Sequence, residues 1–267
     1  MDLLEMINDL QEKGYDYENA SARICQDIVL KAISKSSLAQ NVTIKGGVVM
    51  RSITNNIRRA TLDIDIDFIR YSLLDESIDR FITKLNCIEG ISIKRVGKIE
   101  ELNQQEYNGK RVYVLIADKK GNTIKSKIDL GVHKHLEIKQ QEFCFDISFD
   151  NDGAYLLINS KEQMFTEKLR SLLKFGIFST RYKDIFDIYY QCDKLDEREL
   201  LKCIDTYIYK DSEMRENNKK DILSRIENIF NNETFKSNVD KSDKRWIDDD
   251  IDLIFSKIKQ FIESAKI

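Results

Sequence analysis

Three aspartates stand on alternate positions in "TLDIDIDF" (Thr61–Phe68), at Asp63, Asp65 and Asp67. A strand turns successive side chains to opposite faces, so the three carboxylates share one face while Ile64, Ile66 and Phe68 share the other. Aspartate is depleted in strands, and like charges packed on one face repel. A divalent cation answers that repulsion. Asp63 and Asp65 can bridge two magnesium ions about 3.5–4 Å apart, the arrangement that stabilises attacking and leaving oxygens in phosphoryl or nucleotidyl transfer. Magnesium, with manganese as its substitute, favours carboxylate and phosphate oxygens, which suits a stretch with no cysteine or histidine beside it. A plain solvated acidic face is the competing reading.

Gly46-Gly47 follows a short strand-like stretch, Val42–Lys45, and precedes a helix-like one running from Val48 to about Arg58. Glycine lets backbone approach a ligand closely, and the helix N-terminus behind it offers free N–H groups to phosphate. A plain tight turn explains two glycines equally well. Their pairing with the aspartate strand after residues 48–62 raises the phosphate reading, because one helix and a turn return the acids to the same end. "KIDLGV" (Lys127–Val132) is a second strand with a lone acid, Asp129, which can complete the metal shell as a third carboxylate. His133 and His135 follow it, but two histidines without a third ligand read as structural or exposed.

The elements that must position these residues follow from periodicity. Residues 2–12 and about 18–38 have helical spacing, as do residues 76–87. Strand-like stretches cover 62–69, 91–99, 111–117, 124–132 and 143–147, with turn chemistry at Gly109 and Gly121-Asn122. From Lys161 the chain is helix-like at about 161–175, 182–194, 197–209, 219–231 and 247–264. Strands with interspersed helices followed by helices alone describe an α+β domain over 1–158 and a helical domain over 159–267. The C-terminal "DDDIDLIF" (248–255) repeats the Asp-Ile-Asp text in helical spacing, where its acids suit the first turn of a helix.

Composition sets the outer bounds. The 267 residues carry 43 basic and 46 acidic side chains, a net charge of −3, so the molecule as a whole is no obvious polyanion binder. Local basic stretches at Arg58-Arg59, Lys119–Lys127 and Lys168–Lys183 are where a nucleic acid would have to dock, and solvated faces are their simpler reading. No apolar run reaches the roughly 18 residues of a membrane span, and the cytoplasm is the expected compartment. Five scattered cysteines, without a Cys-x-x-Cys pair, read as reduced and mostly buried thiols.

"KGGVVMR" (45–51) and "TLDIDID" (61–67) resemble the first two motifs of the AbiEii toxin family of polymerase-β-like nucleotidyltransferases, and "FTEKLRSLLKFGIFSTRYKDIFDIYY" (165–190) resembles its third. Val48 stands where the family usually has a hydroxyl residue, and Lys183 where it usually has an arginine. The resemblance implies a polymerase-β-like nucleotidyltransferase core, a mixed sheet with flanking helices, joined to a C-terminal helical domain. It implies transfer of a nucleoside monophosphate from an NTP to an RNA acceptor, tRNA foremost, by a toxin or abortive-infection effector balanced by a separately encoded antitoxin. Transfer to a small molecule or a protein side chain, or silent nucleotide binding, is the alternative. By the same match Lys168 contacts the triphosphate and Asp184 is the active-site helical aspartate, with Gly46 and Gly47 at the phosphates. Arg51 reads equally as a phosphate contact or a helix-surface charge. By residue type alone Glu167, Lys168, Asp184 and Asp187 are ordinary helix-surface residues, and Ser179 and Thr180 ordinary N-caps.

Overall fold

The computed structural model describes residues 1–102 and 109–267. The chain forms two compact units, Met1–Asn159 and Ser160–Ile267. Among the described residues of the first unit, seven strands make one mixed sheet in the order β3-β4-β5-β2-β1-β7-β6. The strands are β1 (Val42–Lys45), β2 (Ile64–Phe68), β3 (Ile91–Leu102), β4 (Gly109–Asp118), β5 (Thr123–Val132), β6 (Gln141–Ile147) and β7 (Asp150–Ile158). The turn expected around Gly109 involves residues 103–108, which lie outside the described residues, and Gly109 itself opens β4.

The aspartate strand β2 sits mid-sheet, antiparallel to β1 and parallel to β5. Its alternation works as the sequence implies. Ile64, Ile66 and Phe68 are fully buried, together with Ile44, Ile128, Leu130, Val112 and Val114 from neighbouring strands. Phe68 stacks edge-on with Tyr71 and Phe81, ring centroids 4.9 and 5.2 Å away. Around the sheet stand α1 (Leu3–Glu12), α2 (Tyr17–Lys35), α3 (Gly46–Thr54) and α4 (Asp75–Lys84). The long helix α2 packs on β5, β6 and β7, and its residues from Ile24 to Ile33 are all buried, including Gln26, Asp27 and Lys31.

Two local outcomes differ from the periodicity. β7 was not among the expected strands. The chain turns at 148–149, and β7 runs back from Asp150, through Gly153 at φ +66°, paired with β6. Helix α3 stops at Asn55, whose left-handed φ of +48° caps it, so the Arg58-Arg59 segment is a separate 3-10 turn. Arg59 is buried, which removes it from the expected basic patch.

The second unit is helical: α5 (Lys161–Phe175), α6 (Tyr182–Gln191), α7 (Glu197–Ile204), α8 (Lys219–Phe230), α9 (Glu233–Asp240) and α10 (Ile251–Ser264). One apolar core runs through it, from Phe165 and Leu169 through Phe186 and Ile226 to Phe255 and Ile262. Helix α9 was missed, being only eight residues long. A turn of π-helix over Asp205–Tyr209 extends α7. Asp250 caps α10 by accepting from the N–H groups of Asp252 and Leu253, so the second Asp-Ile-Asp text is a helix start. Ser179 and Thr180 are not the caps of α6. Its N-cap is Arg181, and the Ser179 hydroxyl accepts from the Arg181 N–H instead.

Candidate active site

Strand β1 ends at Lys45 and the chain turns directly into α3 at Gly46, whose φ is +64°. That left-handed conformation suits glycine. So does the space: a Cβ on Gly46 would strike the Asp65 carboxylate, and one on Gly47 would strike the Thr61 side chain. The glycines therefore let β2 press its acid against the start of α3. The N-cap residue, Lys45, makes no side-chain cap to that helix, and the Asp65 carboxylate lies against its first residue.

The acidic face is a row of cross-strand pairs. Register sets Asp65 opposite Asp129 of β5 and Asp67 opposite Gly131, which places Lys127 beside Asp63. Lys127 Nζ lies 2.9 Å from Asp63 Oδ1. It is poorly aligned, and that buried oxygen accepts no hydrogen bond. Asp67 is buried against Lys45, 2.7 Å away, and lies where a Cβ on Gly131 would be. Asp129 is buried and takes both arms of the Arg111 guanidinium, Nε and one Nη, at 2.7 Å each. Asp129 in turn draws the Arg111 pKa above its ordinary value. Lys127, Lys45 and Arg111 stand against Asp63, Asp67 and Asp129, so the chain itself supplies countercharge that the sequence alone had asked of metal.

In the second unit, Lys168 of α5 is 7% exposed, with Nζ 2.7 Å from Asp184 and 2.8 Å from Asp187 of α6. Arg181 Nε donates to the other Asp184 oxygen at 2.7 Å. Burial pushes the Asp184 carboxyl up, but Lys168 and Arg181 outweigh it and hold its pKa at about 2. Lys168 and Asp184 are no solvated helix surface. Asp187, which residue type alone assigned to that surface, is fully buried and shares Lys168 equally. The spacing of Asp184 and Asp187, one helical turn apart, was the available signal.

The remaining expected residues fall elsewhere. Arg51 is 3% exposed and directs its guanidinium at Asp27 of α2, 3.8 Å away, with none of its nitrogens hydrogen-bonded. His133 is buried beside the Ile138 carbonyl at 3.3 Å, and burial lowers its pKa. His135 meets Glu137. Among the described residues no three histidine, cysteine or acidic side chains form a group that could hold a metal ion. The pair Asp63 and Asp65 nevertheless fits a magnesium ion that brings phosphate oxygens with it: one buried Asp63 oxygen lacks a hydrogen bond, and Gly46 opens the space beside Asp65. Both oxygens of Asp129 accept from Arg111.

No curated protein matches the chain. It aligns with the crystal structure of JHP933 from Helicobacter pylori at 14% identity and a TM-score of 0.48, over 90% of this chain and 88% of that one. It also aligns with an antigenic nucleotidyltransferase-like protein from Paracoccidioides brasiliensis at 14% identity and a TM-score of 0.43, over 80% and 90% of the two chains. At that distance neither likeness speaks to what this chain does. The family model described as nucleotidyl transferase AbiEii toxin, type IV toxin–antitoxin system, matches residues 28–264. That stretch takes in β1, α3 and the aspartate strand as well as the Lys168 cluster, and by it the chain belongs to the AbiEii family of nucleotidyl transferase toxins.

Proposed function

We propose that this nucleotidyltransferase moves a nucleoside monophosphate from an NTP to a hydroxyl of RNA, with tRNA as the acceptor class, in a magnesium-dependent reaction in the cytoplasm. The observation that carries the reading is the seating of Asp65 against Gly46, beside Asp63, at the start of α3. Backbone N–H groups of the Gly46-Gly47 turn bind the phosphates, and the two carboxylates face them. The acceptor oxygen bonds to the α-phosphorus as the bond to pyrophosphate breaks. Magnesium, when bound, would screen the phosphates and stabilise the attacking and leaving oxygens. From the second unit, the family resemblance assigns Lys168 to the triphosphate and Asp184 to positioning nucleotide or acceptor.

Label transfer tests this. The protein and its Asp63→Ala variant are incubated with magnesium, each α-labelled NTP in turn, and total bacterial RNA. Labelling of a small RNA by one NTP, lost in Asp63→Ala, is expected. NTP binding with no labelled RNA would sink the RNA acceptor and direct the search to small-molecule and protein acceptors. In cells, the toxin reading expects growth arrest on expression, relieved by Asp63→Ala. Protection of a population from phage would extend it to abortive infection.

A further inference from the structure

Arg111 carries no role in the reading above, yet it occupies both oxygens of the carboxylate that stands in register beside Asp65. A guanidinium fork on a carboxylate is among the stronger side-chain pairs, and here it takes one lone pair on each Asp129 oxygen. Two cations on one carboxylate also repel, so a metal ion and Arg111 compete for Asp129. The pairing is not a buried cornerstone of the sheet. Arg111 is 27% exposed and can swing toward solvent without parting β4 from β5, whereas the Asp129 side chain is 8% exposed and stays in the row. Beside Asp129, the groups acting on Arg111 include Asp63, which also attracts it, and Tyr113.

We propose that Arg111 is a displaceable counter-ion: it closes Asp129 in the nucleotide-free protein and yields that carboxylate to the entering divalent cation. This rests on the metal role assigned to Asp63 and Asp65. It makes Arg111 a positioning residue that sets how tightly the empty enzyme holds metal, and so favours metal arriving with phosphate over metal alone.

Manganese binding to the full, nucleotide-free chain, read from the electron paramagnetic resonance of free Mn2+, tests the exchange without any turnover. Arg111→Gln is expected to bind Mn2+ at least tenfold tighter than the parent, and Arg111→Lys, which keeps the charge but loses the fork, to fall between them. Adding Asp129→Asn to Arg111→Gln should abolish the gain. Folded Arg111 variants that bind Mn2+ no tighter than the parent overturn the proposal, as does a gain that survives in the double variant. Should Arg111→Gln fail to fold, Arg111→Lys carries the same comparison. Asp63→Ala is the separate arm: Mn2+ binding unchanged by it would remove the metal site itself, whatever Arg111 does.

Discussion

At the scale of single residues, the buried ion cluster around Lys168 makes the sharpest demand. Removing one partner of a buried pair leaves an uncompensated charge, typically at a cost of about 3–5 kcal/mol. Lys168→Met would remove the cation that Asp184 and Asp187 share, and a loss of that order in urea unfolding at neutral pH is expected. The Asp184 pKa of about 2 lies below the ordinary carboxylate value, so its ionised form favours the fold. That contribution is complete above about pH 4 and disappears as pH falls through about 2, amounting to roughly 2 kcal/mol. In Lys168→Met burial acts on the Asp184 carboxyl with less opposition and raises its pKa, so this acid-induced loss should shrink, which a series of unfolding midpoints against pH would reveal. Gly46→Ala should lose stability by about 1–3 kcal/mol, from left-handed strain together with the collision at Asp65. An unchanged melting temperature would mean that Asp65 moves aside freely.

At the scale of elements, what was readable was what local chemistry controls. The alternation in 61–68 identified β2 and its two faces, and the glycines identified where a helix begins. The partners of the acids were not readable, because Lys127 and Arg111 reach them only through β2–β5 and β4–β5 register. Register is a tertiary property that no window of residues contains. The same holds for Arg59 and Asp187, whose residue types say surface and whose burial comes from packing. The acids of 248–255 were read as first-turn charges of a helix, and Asp250 proves to be its N-cap. Asp250→Ala is expected to destabilise α10 by about 1 kcal/mol, read as a shift in thermal midpoint.

Across the whole molecule, the family supplies the activity and an antitoxin partner, and the two units supply separate cores. No helix among the described residues is long and apolar enough to cross a membrane. All five cysteines are free thiols, as composition implied, but two of them are not buried. Cys25, Cys192 and Cys203 are buried, and burial pushes their thiols up to about 12, far from a reactive thiolate. Cys87 and Cys144 are exposed. Brief alkylation of the native protein should therefore add two adducts by intact mass, and three more only in denaturant. Rapid labelling of all five would contradict the packing of both cores.

The two-faced strand at the centre of the sheet also acts as a proofreading device during folding. Because β2 is flanked on both sides by paired strands, a slip of one residue would drive Asp63, Asp65 and Asp67 among Ile128, Leu130 and Val112 and expel Ile64, Ile66 and Phe68. No compact misfold can accept three unpaired carboxylates. The residues that would do the chemistry thus also make a one-residue slip of their own strand untenable, and deleting Leu62 or Ile69 should be far better tolerated than deleting any residue between them.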